Sequence, residues 1–595
     1  MTPLIPIPPK QHLRALALVF PLFRRYRLRI GGGILALLAV DLCQLLIPRV
    51  VKLAIDGLKA GTATQQALVH HGLTIIALAI GVAVFRFLWR HLVLGFSKLM
   101  ERDLRDQLFG HLLTLDRPFF QRRTTGDLMA IATNDLSAVQ MASGMGLVAL
   151  IDSVVMTGAV LMFMLAINPR LTWIALSPLP LLAILTKFLS SMLHQRFNRV
   201  QETFSTITEL ARGTINAMRL VKIYTREEER IARFDEMGRD YIRHNLRVAT
   251  VQGLLFPVSG LVANLALLLV VMVGGRMAIN QVITIGDFVA FISYLFMLVW
   301  PMMAIGWVTS LFQRGLTSLA RLQAILDERP LLLADGTGTP LSGPVESIEV
   351  RGLGFTYPGQ TTPILHDLSL SLGPGLHGLV GPTGCGKSTL CHLLARLYPV
   401  AAGTIFVNNQ ELTRIELNAY RRAVAHAPQE PFLFSDTIAA NLAFARPQAQ
   451  AYEIEEVARA VGIHDEIMNF QAGYQSRIGE KGVMLSGGQR QRISLARALL
   501  ARAPLLIIDD GLSAVDSGTE RHIMAAIEEY GRSHIVLITS HRLTPLVRAR
   551  QVMVLGEGRI VAQGSHQQLM QGSAYYRAIF HKQTEPAGGG PSHAA

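Results

Sequence analysis

Apolar residues in the first half of the chain come in long, nearly uncharged blocks. In the second half they come in short runs punctuated by glycine, proline and charge. Six blocks, at about 29–50, 72–96, 141–167, 170–193, 251–275 and 284–311, are long enough to be helices that cross a bilayer. Such a helix needs about 20 mostly apolar residues to span roughly 30 Å of hydrocarbon. One block alone could equally be a buried core helix; six in series with one charge asymmetry read as spans. Arg24, Arg25, Arg27 and Arg29 precede the first block. The first-to-second, third-to-fourth and fifth-to-sixth connections are short and poor in Lys and Arg. The second-to-third and fourth-to-fifth are long and basic, the latter with Arg212, Arg219, Lys222, Arg226, Arg230 and Arg233. The pattern predicts cytoplasmic N- and C-termini. Within the long connections, "FSKLMERDLRDQLFGHLLTLDRPFF" and "TELARGTINAMRLVKIYTREEERIARFDEM" keep helical apolar spacing. They predict membrane helices that continue into the cytoplasm, turning at "FFQRRTTGDLM", residues 119–129.

Beyond residue 327 the pattern changes. "LDERPLLLADGTGTPLSGP" reads as a linker. Short β-rich runs follow, "VESIEVRGLGFTY", "HGLVG", "TIFVNN", "LLIIDD", "HIVLITS" and "VMVLGEGRIVAQG", several alternating with helical stretches. That alternation predicts an α/β domain with a largely parallel sheet. The expected organisation is a membrane domain at 1–326, a linker at 327–345, an α/β domain at 346–582 and a disordered tail at 583–595.

Composition refines this picture in three ways. The 595 residues are 50% hydrophobic, too apolar for a purely soluble chain and too polar for a wholly membrane-embedded one. The formal charge of +14 fits basic cytoplasmic loops better than a nucleic-acid surface. Cys43, Cys385 and Cys391 have no metal-ligand spacing and suggest no disulfide framework, which fits a reduced, cytosol-facing protein. The N-terminus lacks the h-region and cleavage site of a signal peptide.

Candidate chemistry lies in the α/β region. "GPTGCGKST" comprises Gly381, Pro382, Thr383, Gly384, Cys385, Gly386, Lys387, Ser388 and Thr389. It follows an apolar run and precedes a helical stretch, the context a G-x-x-x-x-G-K-[ST] phosphate loop requires; the alternative is a chance glycine-rich turn. Glycines let backbone N–H groups curl around phosphate oxygens, and the helix N-terminus adds its positive dipole end. Lys387 can reach the β- and γ-phosphates, and Ser388 can ligate Mg²⁺. Asp509, at the end of "LLIIDD", is the acidic partner of that cation, or alternatively a helix N-cap.

"LSGGQRQRISLARAL" at 485–499 resembles the signature motif of the ATP-binding cassette (ABC) family. With the phosphate loop upstream and "LLIIDDGLSAVD" downstream, residues of roughly 346–582 resemble an ABC nucleotide-binding domain in the family's order and spacing. The resemblance implies roles residue by residue. Tyr357 would stack on adenine. Gln429 would sense Mg²⁺ and the attacking water and face the membrane domain. Glu480 falls at the acid of an exporter X-loop. Ser486, Gly487, Gly488 and Gln489 would serve a partner's ATP. Asp516 belongs to the D-loop, and His541 would contact the γ-phosphate. Ser388, Gln429 and Asp509 would hold Mg²⁺, and Asp510, Gln429 and His541 would carry catalysis. Six spans fused to one cassette resemble the half-transporters of the ABC exporter class, most of all one subunit of the bacterial multidrug-resistance-like, Mdl-type heterodimeric exporters. The implied fold is a six-helix α-helical membrane domain plus an α/β P-loop NTPase domain, working as a dimer in the bacterial inner membrane with ATP and Mg²⁺. Where ABC proteins usually carry a catalytic Glu, this chain has Asp510, one methylene shorter. That substitution predicts slow hydrolysis at this chain's own site.

The spans contain Asp41, Arg86, Arg90, Asp152 and Lys187. Charges there should face the bundle interior or a wet cavity. Asp41 and Asp152 are candidates for recognising a cationic substrate; interhelical pairing is the competing role. The implied function is ATP-driven export of amphipathic small molecules, with lipid or lipopolysaccharide flipping as the alternative. An ATP-gated channel or regulatory subunit is an alternative of another class, distinguished by the absence of uphill transport.

Overall fold

The computed structural model describes residues 9–332, 338–479 and 485–584. Glu480 and the tail beyond residue 584 lie outside them. The chain forms two compact units: one holds the residues up to His111 together with Gly126–Asp327, the other Leu112–Thr125 and the chain from Glu328 onward.

The first unit is helical. Its principal helices are α1 (Arg27–Lys59), α2 (Gln65–Trp89), α3 (Leu147–Ile167), α4 (Leu179–Asn216), α5 (Glu227–Leu269) and α6 (Ile285–Leu326). Among the described residues, five helical stretches are long and apolar enough to cross a membrane: Arg27–Lys59, Gln65–Leu112, Thr125–Ile167, Gly260–Ile279 and Ile285–Leu326. The fourth expected span, 170–193, is helical but divided between Pro169–Leu176 and α4. Pro178 and Pro180 explain the break, since each lacks an N–H and its ring collides with the carbonyl one turn back. The Asn168 side chain caps the shorter piece by accepting from the Leu171 N–H. At about 1.5 Å per residue, the 43 residues of α5 reach about 65 Å, roughly twice the hydrocarbon thickness.

Helices in hydrocarbon gain nothing from apolar burial against one another, so small residues and hydrogen bonds hold them. Gly315 of α6 lies so close to the helix before α3 that a Cβ there would sit 2.5 Å from Ala142 Cβ. Tyr294 donates its buried hydroxyl to the Leu45 carbonyl at 3.0 Å, joining α6 to α1. At the start of α6, the Asp56 carboxylate accepts from Thr284 Oγ1 at 2.8 Å and from the Gly286 N–H at 2.9 Å. Lys52 pairs with Asp287 at 2.5 Å. Farther along α6, Ser318 and Arg321 bind Asp135 at 2.8 and 2.9 Å.

The second unit carries two sheets. An antiparallel sheet has the order β2-β1-β4-β5, with β1 at Ile348–Phe355, β2 at Leu365–Leu372, β4 at Ile405–Val407 and β5 at Gln410–Glu411. The larger sheet has the order β10-β9-β3-β8-β7-β6, with β3 at Gly375–Val380, β6 at Val424–Ala427, β7 at Leu505–Asp509, β8 at Ile535–Thr539, β9 at Gln551–Gly556 and β10 at Arg559–Gly564. All but β10 run parallel to their neighbours. Every residue of β7 and β8 is buried, as strands covered on both faces must be, which is why "LLIID" and "IVLIT" are apolar without alternation. Parallel strands end on one edge, and a crevice there is the natural ligand site.

The α1–α6 contact leaves no room at Gly286: a Cβ would collide with the Lys52 carbonyl oxygen and sit 2.7 Å from the Asp56 carboxyl carbon. Gly286→Val should therefore lower the stability of the membrane unit by about 1–3 kcal/mol. The check is the unfolding midpoint of purified protein in detergent; an unchanged midpoint would refute the close contact.

Candidate functional site

Strand β3 ends at Val380, and residues 381–386 carry the chain into α7, Lys387–Leu394. Gly386 closes this loop at φ 106, where an L side chain is strained, and a Cβ would sit 2.6 Å from Leu365 Cδ2. Lys387 is buried, its ammonium donating to the Gly381 and Pro382 carbonyls, each at 2.9 Å. Cys385, also buried, brings its Sγ to 3.9 Å from that ammonium. Beside the loop, β7 ends at Asp509 in register with Thr539, the last residue of β8. The Thr539 hydroxyl donates to Asp509 Oδ1 at 2.7 Å and accepts the Asp510 N–H at 3.0 Å.

These strand ends frame a cavity of about 210 Å³ lined by Tyr357, Thr383, Gly384, Gly386, Lys387, Ser388, Thr389, Gln429, Asp509, Asp510 and His541, with Ile364 and Thr539. The Tyr357 hydroxyl bonds to Thr389 Oγ1 at 2.9 Å, fixing the ring at the rim of the phosphate loop. Gly381, Pro382 and Cys385 belong to the same loop but do not line the cavity. Thr539 and Ile364 belong to no sequence motif; Thr539 is marked only by its place two residues before His541. The loop N–H groups, the α7 N-terminus and Lys387 suit a polyphosphate. The oxygens of Ser388, Gln429 and Asp509 suit a hard divalent cation.

Asp510 leaves the strand with φ 48, a left-handed conformation that Asp tolerates better than most side chains. Burial raises its carboxyl above the ordinary range, and the neighbouring Asp509 adds to the effect; the His541 and Lys387 charges oppose it.

The signature residues stand apart from this cavity. Ser486 caps α8 (Gly487–Leu500), its Oγ accepting from the Gln489 N–H at 3.2 Å, while Gln489 Oε1 accepts the Ser486 N–H at 2.8 Å. None of Ser486, Gly487, Gly488 or Gln489 lines it. Asp516 caps α9 (Ser517–Gly531), and the Thr519 N–H holds its carboxyl below the usual range. Gln491 of α8 ties the D-loop to the signature helix, donating to Ser513 Oγ at 3.0 Å and accepting from the Ala514 N–H at 2.9 Å.

Residues 112–125 join this unit. Tyr398 packs edge-on against Tyr357, with ring centroids 5.2 Å apart, and donates to Gln121 Oε1 at 2.9 Å. Asp116 accepts from the Leu331 N–H and, at 3.0 Å, from the Leu332 N–H.

The membrane unit holds its own cavity of about 960 Å³, lined mostly by apolar and aromatic side chains including Trp89, Phe296, Trp300 and Trp307. Arg86, Arg90 and Asp152 are its charged residues. Asp41, 1% exposed, does not line it.

Residues 30–302 match the family described as ABC transporter transmembrane region, and residues 365–513 match the ABC transporter family. Over 563 residues the chain is 37% identical to the Escherichia coli multidrug resistance-like ATP-binding protein MdlA, covering 94% of this chain and 95% of that one. It is 32% identical over 513 residues to an ATP-dependent lipid A-core flippase of Nitrosococcus oceani, covering 85% of each. Its fold is similar to a bacterial Atm1-family ABC exporter with ATP bound, at TM-score 0.76 and 24% identity, covering 94% of this chain and 100% of that one.

Two substitutions test the nucleotide cavity. Lys387→Ala should weaken ATP binding at this site by about tenfold or more, through loss of a charge-assisted phosphate contact. A fluorescent ATP analogue in the purified protein would read this, and unchanged occupancy would refute the role of the loop. Thr539→Val keeps side-chain volume but strips Asp509 of its hydroxyl partner. ATP turnover should fall and the domain should lose about 1–3 kcal/mol; wild-type turnover and unfolding midpoint would show that Asp509 needs no such support.

Proposed function

The chain belongs to the ABC transporter family as an exporter-type half-transporter, an ATPase fused to a helical membrane domain, and from that premise we propose that it exports amphipathic small molecules of the multidrug type. The observation that carries this reading is the apolar, aromatic cavity of about 960 Å³ in the membrane unit, a volume suited to a drug-sized ligand. The name of the Escherichia coli relative supports it. The name of the Nitrosococcus oceani relative favours lipid flipping as a second reading. Drugs that stimulate ATPase activity where lipids do not would separate the two. The protein would sit in a bacterial inner membrane with both termini in the cytoplasm, as the distribution of Arg and Lys between its connections supports.

In this proposal the phosphate loop and Lys387 hold the β- and γ-phosphates, Tyr357 flanks the base, and Ser388, Gln429 and Asp509 hold Mg²⁺. The cation supplies neutralisation of phosphate charge. His541 contacts the γ-phosphate. Ser486 to Gln489, capping α8 away from this chain's own cavity, serve the nucleotide of a second half-transporter. A dimer therefore completes each site. Its two cassettes draw together on ATP, and the energy enters as different affinities for two conformations.

Asp510 favours a heterodimer with unequal sites. Its carboxylate is one methylene short of the usual Glu, and a general base out of reach of its water forfeits about 10²–10⁴-fold. This chain's own site would hold ATP and turn it over slowly, while the partner's site would hydrolyse quickly against Ser486 of this chain. In the assembled complex, Ser486→Arg should then cut steady-state ATPase by about 10²-fold or more, and Asp510→Asn by only a few-fold. Equal losses would make Asp510 a working base and a symmetric homodimer the better reading. Inverted vesicles that hydrolyse ATP without concentrating any amphipathic probe would overturn export itself.

A further inference from the structure

The charges on the membrane cavity are unevenly matched. Arg86 of α2 and Arg90, which opens the π-helical turn Arg90–Leu94, are four residues apart and so share a face, and both line the cavity. Asp152 of α3 is the only carboxylate on the wall among the described residues. It makes no ion pair with Arg86 or Arg90 among the described residues. Asp41 lies behind the wall, buried and off the cavity surface. Arg90 pairs with no carboxylate among the described residues; its guanidinium carbon lies 5.7 Å from the centroid of the Trp89 ring. The wall thus presents two guanidinium cations and one carboxylate, with no ion pair among them in the described residues.

This arrangement argues against recognition of a cation by Asp41 and Asp152. A cationic ligand would meet two guanidinium cations and a single carboxylate on the wall, with Asp41 buried out of reach. An anion would gain charge-assisted hydrogen bonds from Arg90 in surroundings of low dielectric, where such bonds are strong. The apolar wall, with Phe296 and Trp300, would take a hydrophobic body.

We propose that this cavity takes an amphipathic anion of drug-like size, its carboxylate, sulfonate or phosphate head paired with Arg90 and its apolar body against Phe296 and Trp300. The inference rests on the export reading and narrows its substrate class. The head could arrive on a water-soluble amphipath or on an anionic lipid from the bilayer.

The test uses the transporter assembled with its partner half, in nanodiscs of zwitterionic phosphatidylcholine. Three probes share one ring system: 1-anilinonaphthalene-8-sulfonate, the uncharged N-phenyl-1-naphthylamine, and a trimethylammonium derivative. Three of the four tryptophans, Trp89, Trp300 and Trp307, line the cavity, so quenching of their emission reports binding. The sulfonate should bind about tenfold or more tightly than the uncharged probe, and the cation should bind weakest. Arg90→Gln should abolish the preference for the anion, and Arg90→Lys should retain it. Equal or tighter binding of the uncharged or cationic probe overturns the proposal, as does an anion preference that survives Arg90→Gln. Replacing part of the bilayer with phosphatidylglycerol separates the sources. Displacement of the sulfonate assigns the head to a lipid, and persistence assigns it to a soluble amphipath. Export is read separately, by ATP-driven uptake into inverted vesicles. Anion-selective binding without uptake of any probe would defeat the export reading and leave the site; uptake of the cation without anion selectivity would defeat the site and leave export.

Discussion

A buried carboxylate must find hydrogen-bond donors, and the way Asp509 finds one shapes the nucleotide site. Thr539 stands opposite Asp509 in the β7–β8 register and donates its hydroxyl at 2.7 Å. That bond is available only because the two strands are parallel and end together. The same strand edge receives the phosphate loop after β3, and His541 follows Thr539 by two residues. Register, rather than any single motif, therefore brings acid, histidine and glycine loop to one cavity. A one-residue slip of β8 would turn the Thr539 side chain to the opposite face of the sheet and leave Asp509 without its donor.

The same bond constrains Asp510. Its N–H is taken by Thr539 at 3.0 Å, and its backbone turns left-handed to begin the D-loop. Among non-glycine residues, Asp is one of the few that enter this conformation at small cost, because its short polar side chain can hydrogen-bond locally. A longer acid would extend farther toward a bound phosphate but would gain less from such local bonds. The aspartate is thus well matched to the turn.

What could be read from the sequence was whatever is contiguous. The phosphate loop, the signature helix and the apolar blocks are each local, so their residue types and spacings carry the physics directly. Thr539 and Ile364 escaped because their contribution depends on strands far apart in the chain. Asp41 and Asp152 looked equivalent in sequence, each a lone acid within an apolar block. The structure separates them by helical rotation: Asp152 lines the cavity, and Asp41 is buried behind it. The fourth span was legible as apolar, but the break at Pro178 depends on where the helix starts. Hydropathy does not encode that, although the two prolines do.

Chain continuity ties the nucleotide-binding unit to the membrane unit. Residues 112–125 lie in sequence between helices of the membrane unit, Gly95–Leu112 and Thr125–Ala130, yet they belong to the nucleotide-binding unit. Asp116 holds the main chain at Leu331 and Leu332, and Gln121 takes the hydroxyl of Tyr398. Tyr398 in turn packs on Tyr357, whose own hydroxyl is fixed to the phosphate loop through Thr389. The Leu332, Gln121 and Thr389 bonds are part-buried, and such contacts resist displacement more than exposed ion pairs do. The phosphate loop is thus joined through Thr389, Tyr357, Tyr398 and Gln121 to a segment covalently continuous with the membrane helices. Where a ligand at one site changes affinity at another, the effect is reciprocal. A ligand in the membrane cavity can alter ATP affinity only to the extent that it binds the two conformations unequally.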